Sequence, residues 1–205
     1  MTDEPTEASQ DERELVERAK RGDSRAFGLL YRAYVDRVYS FIEFRVRDRA
    51  VAEDLTQEVF VQVLRGLAAY SWHGSFGPWI LRIARNAVVD HWRRLGRRPE
   101  GALASRNPGQ EPRGEGPLER VQASGVAEAM EAVEASLDHG RLMAATGRLT
   151  ELQQQVIALR FSAGLTIRET AVVMDRSEGA VKNLQHHALR ALRRELGSQP
   201  GEGTL

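Results

Sequence analysis

Residues 150–196 run TELQQQVIALRFSAGLTIRETAVVMDRSEGAVKNLQHHALRALRREL, and the punctuation of that stretch sets out its helices. Thr150 with Gln153, and Thr166 with Glu169, each have the hydroxyl-then-carboxyl/amide spacing of a reciprocal N-terminal cap. Each precedes an apolar-periodic run. Gly164 suits the position just past a helix end, where a left-handed backbone is needed. Ser177 is a good N-cap for a last helix ending near Leu196. The order is helix, short helix over Ile167 to Met174, tight turn, helix: the helix-turn-helix layout. The last helix is expected to bury Val181, Leu184, Ala188 and Leu192. Lys182, Asn183, His186, His187 and Arg190 then face outward, with donors suited to the acceptor-rich major groove. An ordinary three-helix bundle with a solvated polar face fits the same periodicity.

Working back towards the N-terminus, the helical pattern covers residues 13–95. One stripe runs Phe27, Leu30, Tyr31, Tyr34, Val38, Phe41 and Ile42, at three-and-four spacing. A second runs Leu55, Val59, Val63 and Leu67. A third runs Ile80, Ile83, Ala84, Ala87, Val88 and His91, with Pro78 in its first turn. The second helix carries Asp54, Gln57 and Glu58 on the side away from its apolar stripe. Such exposed carboxylates have nothing to raise their pKa, so a protein-binding face or plain solubility fits better than acid/base work. The third helix is rich in arginine: Arg82, Arg85, Arg93, Arg94, Arg97 and Arg98 face a single acid, Asp90. Tyr70, Trp72, Phe76, Trp79 and Trp92 lie close to it in sequence. Aromatics that stack bases beside cations that track phosphates are the requirements of single-strand binding. The alternative is that Trp79 and Trp92 are core and the arginines a solvated face.

Between these units the composition changes. Gly96, Gly101, Gly109, Gly114 and Gly116 alternate with Pro99, Pro108, Pro112 and Pro117, and almost nothing there is apolar. We read residues 96–139 as a linker, with an acidic helical pattern near residues 126–138 that is either a weak helix or part of the tether. Residues 1–12 read as a disordered lead and 197–205 as a disordered tail. The expected fold class is therefore all-α, two small helical domains on a flexible tether.

The 29 basic and 29 acidic residues cancel, so nucleic-acid affinity must come from local basic faces. With no cysteine, disulfides, thiolate–zinc sites and cysteine nucleophiles are excluded. No apolar run approaches the ~20 residues that span a bilayer, and a cytoplasmic protein without membrane contact is expected. Neither a base–nucleophile pair, a metal-binding cluster nor a phosphate-cradling glycine loop is visible. No enzyme activity, catalytic residue, metal site or cofactor is expected.

Three motifs bear a family resemblance. Ala52-Glu53-Asp54-Leu55-Thr56-Gln57-Glu58-Val59-Phe60 resembles region 2.2 of extracytoplasmic-function (ECF) sigma factors. Trp79 to Ala87, continuing through Asp90-His91-Trp92-Arg93-Arg94, resembles their regions 2.3 and 2.4, and Leu149 to Leu196 resembles region 4. The resemblance implies a sigma region 2 domain at residues 13–95 and a region 4 domain at 140–196. It implies that Asp54, Gln57 and Glu58 hold the clamp helices of the β′ subunit of core RNA polymerase. It implies that Arg82, Arg85, Asn86, Asp90 and Arg93 engage the minus-ten element of promoter DNA, and that the loop Ser71–Phe76, with Trp72 and His73, captures a base from the melted single strand. Region 4 would read the duplex minus-thirty-five element through Ser177, Lys182, Asn183, His186, His187 and Arg190, and touch the β flap. An anti-sigma factor is a common partner of this family.

The chain departs from the family pattern at Leu184, where many relatives have arginine, and at Gln185, where they have leucine. Thr170 replaces a larger apolar residue, and Asp175 stands at a turn position usually filled by glycine. No region 3 is visible. A competing reading, a stand-alone dimeric helix-turn-helix regulator, accounts for the C-terminal half. It leaves the Asp54–Glu58 face and the arginine–aromatic helix without a role.

Overall fold

The computed structural model describes residues 7–96 and 139–197; the expected linker with its acidic stretch lies outside these residues but for Gly96 and His139, where a helix already begins, and so do residues 1–6 and the expected tail but for Gly197, which ends the last helix. The N-terminal unit contains α1 (Glu7–Lys20), α2 (Ser24–Val46), α3 (Arg49–Gly66), a single 3-10 turn (Leu67–Ala69) and α4 (Gly77–Arg94). The C-terminal unit contains α5 (His139–Gly147), α6 (Glu151–Ile157) running into a π-helical turn (Ala158–Ser162), α7 (Ile167–Met174) and α8 (Glu178–Gly197). No strand occurs among the described residues.

The first helix shortens the disordered lead expected over residues 1–12. Helix begins at Glu7, and Val16 on its inner face is fully buried. The acidic composition of this segment hid one long-range anchor: Glu12 accepts hydrogen bonds from the Tyr34 hydroxyl and from the Phe76 N–H at 3.1 Å. The boundary of α2 follows from Asp23, whose carboxylate accepts from the Arg25 and Ala26 amides at 2.9 and 3.1 Å. Those bonds, with Arg18 beside it, hold its pKa below the ordinary 3.8.

In the C-terminal unit both capping boxes form, Thr150 with Gln153 and Thr166 with Glu169. Gly164 takes φ +68°, and Asp175 ends α7 in the left-handed conformation at φ +55°. Aspartate tolerates that region better than most residues, so the turn survives without glycine. Thr170 is fully buried but donates its hydroxyl to the Thr166 carbonyl at 2.8 Å, which removes the cost of a bare polar group in the core.

The expected inner stripe of α8 needs one correction. Val181, Ala188 and Leu192 are buried as expected, but the fourth buried position is Gln185; Leu184 is only half-buried. Gln185 is held there because its side-chain oxygen accepts from Arg160 Nε at 3.0 Å, while the Arg160 guanidinium also donates to the Leu165 carbonyl. An amide–guanidinium pair thus fills a site that the family pattern gives to leucine.

The two units pack on each other, and their buried residues form one continuous core. α7 lies against α4, and the turn that ends α6 lies against α2. Gly77, opening α4, brings its backbone close to Tyr34 and Leu165; a Cβ there would stand 3.6 Å from the Leu165 methyl.

Candidate nucleic-acid interface

The loop between the 3-10 turn and α4 rests on an aromatic floor. Phe76 is 1% exposed and meets Tyr34, Tyr70 and Trp79 with ring centroids 5.4, 5.5 and 5.2 Å away. Tyr70 and Trp79 approach to 4.6 Å, and Gly66 lets the Trp79 ring lie across the end of α3, where a Cβ would come within 3.3 Å. Trp79 is therefore committed to packing, not to base stacking. Burial pushes the Tyr70 phenol up to about 12, so it stays a neutral donor to the Ser75 carbonyl, 3.1 Å away. Gly74 takes φ +91°, a conformation that few other residues adopt without strain. Upon this floor Trp72 is half-buried and His73 exposed, with the loop anchored at its far end by Glu12.

Along α4, Arg82, Asn86, Asp90 and Arg93 recur at helical spacing and share one exposed side. Arg93 pairs with Asp90 at 3.0 Å, a surface contact worth little. Arg85 does not join them. Half-buried, it turns towards a cavity of about 10 Å³ between the two units, lined by Arg45, Phe41, Val88, Glu151 and Gln155 among others. Its Nε is buried and meets no protein acceptor, and burial, with Arg82 and Arg176 nearby, lowers its pKa. Arg85, expected on the phosphate-seeking side of α4, is instead covered. Arg82 is exposed, but its guanidinium donates to the Val172 carbonyl of α7.

Asp54, Gln57 and Glu58 form one exposed face of α3. Glu58 also reaches Arg94 at 3.8 Å, and Gln62 donates to it at 3.3 Å. In α8, Lys182, Asn183, His186, His187 and Arg190 are all exposed. Ser177 begins the helix by accepting from the Ala180 amide at 3.2 Å. Among the described residues no group of three potential ligands could hold a metal ion, and no helix is long and apolar enough to cross a membrane.

Several residues that shape this arrangement were missed from sequence. Arg45 continues the apolar stripe of α2, at the spacing set by Val38, Phe41 and Ile42, and that was the available signal: a cation on a buried face requires a partner. The partner is Glu151, which it meets from across the chain, with Gln154 accepting at 3.1 Å. Burial, with Arg47 and Arg85 close by, brings the Arg45 pKa down to about 10, so it remains charged at neutral pH.

A two-unit, all-helical protein with a helix-turn-helix and a cationic helix beside an aromatic-floored loop is of the nucleic-acid-binding class. Family comparison makes this specific. The Sigma-70 region 2 model matches residues 30–98 and the Sigma-70 region 4 model matches residues 146–194. The ECF RNA polymerase sigma factor SigX of Bacillus subtilis is 32% identical over 174 residues, covering 83% of each chain. The ECF RNA polymerase sigma factor BldN of Streptomyces coelicolor is 41% identical over 184 residues; the match covers 89% of this chain and 65% of BldN. The chain belongs to the ECF RNA polymerase sigma factors. Its fold is shared by CnrH, solved in complex with the cytosolic domain of CnrY (TM-score 0.63, 22% identity, 92% of this chain and 99% of CnrH). It is shared too by the sigma factor RpoE in complex with the anti-sigma factor NepR from Bartonella quintana (TM-score 0.61, 18% identity, 84% of this chain and 98% of RpoE).

Proposed function

We propose that the chain binds core RNA polymerase and directs it to promoters, supplying recognition and strand opening but no covalent chemistry, in the cytoplasm where polymerase works. The observation that carries this reading is the match to both Sigma-70 regions in their proper order, each with most of its candidate binding side chains exposed; Arg85 is covered and Trp72 half-buried. Asp54, Gln57 and Glu58 meet the β′ clamp helices. Arg82, Asn86, Asp90 and Arg93, joined by Arg85 once uncovered, engage the minus-ten element. Trp72 and His73 receive the base that leaves the stack, the unstacking cost of a few kcal/mol being offset by new stacking and a closed pocket. Region 4 meets the β flap and lays α8 in the major groove of the minus-thirty-five element. There Asn183 reads base edges, while Arg190 contacts phosphate. An anti-sigma factor belongs to the proposal as a further partner.

Co-purification with core polymerase tests the first step. The parent chain should be retained, and the Asp54→Ala, Glu58→Ala double variant should be lost from the complex with its melting almost unchanged. Exposed substitutions usually move stability by under ~0.5 kcal/mol. Undiminished retention of the double variant would remove those residues from the interface. Tight, sequence-specific duplex binding by the free chain would favour an operator-binding regulator.

A further inference from the structure

Arg160 ties together the parts of the helix-turn-helix. It lies in the π-helical turn that ends α6, where the Ala163 amide donates to the Ala158 carbonyl at 2.9 Å. From there its guanidinium donates to the Leu165 carbonyl, in the segment leading into α7, and its Nε donates to the Gln185 side-chain oxygen on α8 at 3.0 Å. Gln185 is 7% exposed, whereas its neighbour Leu184 is only half-buried. Hydropathy alone favours the reverse, because Leu184 stands at the right spacing from Val181 and Ala188 to complete an apolar stripe. The two choices are two rolls of one helix. With 3.6 residues per turn, the stripes Val181, Gln185, Ala188, Leu192 and Val181, Leu184, Ala188, Leu192 point in mean directions roughly 25° apart. At a side-chain radius of about 5–6 Å, that roll moves a tip by about 2–3 Å, close to one hydrogen-bond length. It takes Asn183 off the centre line of the outward face and brings His186 towards it.

We propose that Arg160 is a positioning residue for sequence reading: by holding Gln185 inward it fixes the roll of α8, and with it which side chains meet the bases of the upstream element. Three observations carry it. The Arg160–Gln185 bond joins two side chains 25 residues apart, so it governs the placement of α8 and not its local helix geometry. The second anchor of Arg160, on the Leu165 carbonyl, sets the guanidinium against backbone, so the pair refers the roll of α8 to the turn before α7. Leu184 is left partly uncovered at the edge of the core, and a roll of α8 would bury it, so the polar pair holds against a standing hydrophobic drive. The reading of bases by α8 rests on the proposed function; the roll itself does not.

The test uses the full chain with core polymerase and a promoter library randomised across the minus-thirty-five element. Arg160→Met leaves every outward residue of α8 in place but removes the donor that holds Gln185. Its base preference should change by about fivefold or more at one or two upstream positions, the discrimination that one well-placed contact provides. Adding Gln185→Leu puts an apolar side chain inside without Arg160, so the double variant should return to the parental preference. Arg160→Lys keeps the stem and charge but lacks the rigid fork that serves both acceptors. It should shift preference in the same direction, and it takes the place of the methionine variant if that one melts too low to assay. The roll is read separately in the free chain, whose lack of cysteine lets Leu184→Cys carry a single thiol. Adding Arg160→Met should slow alkylation of that thiol by about threefold or more as the position turns inward, and adding Gln185→Leu as well should restore the rate. An unchanged preference, with affinity lowered evenly at all sites, makes Arg160 merely structural and overturns the proposal. A double variant that keeps the altered preference also overturns it, because Arg160 would then act on DNA itself. A thiol no slower with Arg160→Met overturns the roll. If the parent selects no upstream sequence while the thiol rates follow the expected order, the fault lies with the proposed function and not with the roll.

Discussion

Removing the carboxylate of Glu12 should disorder the loop that precedes α4 from a distance. Its two oxygens serve separate donors: the hydroxyl of Tyr34, a residue 3% exposed, and the Phe76 amide at 3.1 Å. Burial and this carboxylate together push the Tyr34 phenol well above its ordinary value, so it acts as a donor at any working pH. Glu12→Ala leaves both donors without an acceptor, at about 1–3 kcal/mol each, with the lower end favoured because Glu12 is half-exposed and water can enter. The expected loss is roughly 2–4 kcal/mol, and at ~2–4 °C per kcal/mol for a chain of this size the melting point falls by about 4–16 °C. Glu12→Gln keeps one acceptor and should fall between. Tyr34→Phe removes a donor instead, so the double variant Glu12→Ala, Tyr34→Phe should cost less than the sum of the singles. Thermal melting by circular dichroism gives the magnitude, and hydrogen exchange at the Phe76 amide locates it. A Glu12→Ala chain with parental melting and parental protection at Phe76 would refute the anchor.

Gln185→Leu restores the family's usual residue yet should destabilise by about 1–3 kcal/mol, because Arg160 loses its side-chain acceptor. Adding Arg160→Met should recover most of the loss, as a double-mutant cycle in urea would show. Asp23 has a folded pKa below its unfolded 3.8, so its contribution is fully present above that value and is lost as the pH falls through the folded pKa. The parent should therefore show an acid-dependent loss of stability below about pH 4, and Asp23→Ala, measured across the same range, should lack that component. Trp72 is half-buried, so Trp72→Ala should cost less than the ~3–5 kcal/mol of a fully buried tryptophan and leave the chain folded. It should slow opening of duplex promoters, with recovery on templates already melted across the minus-ten region; parental opening rates would remove Trp72 from the pocket.

What the sequence disclosed was mostly local. Capping boxes at Thr150 and Thr166, the left-handed turns at Gly164 and Asp175 and the exposed set on α8 depend on near neighbours, and each follows from residue type and spacing. The inner face of α8 was harder. Periodicity ranks Leu184 above Gln185 on hydropathy, and only Arg160, distant in sequence, makes the glutamine the better-buried residue. Glu12 looked like part of an acidic lead because its partners, Tyr34 and Phe76, lie in two other segments. Arg85 was assigned to the open side of α4, yet Arg45, Glu151 and α7 create a covered side there that no helical wheel contains. Long-range polar pairs decide these cases, and they leave at most a faint trace, such as a cation on an apolar stripe.

The central claim is that this chain confers promoter choice on RNA polymerase, and run-off transcription with purified core tests it most directly. Templates would be drawn from a randomised library carrying minus-thirty-five and minus-ten elements. The account predicts discrete transcripts that require the chain, that weaken with Asp54→Ala and Glu58→Ala, and whose preferred upstream bases change with Asn183→Ala. Transcription no different from core alone, while the free chain binds a specific duplex tightly, would contradict it.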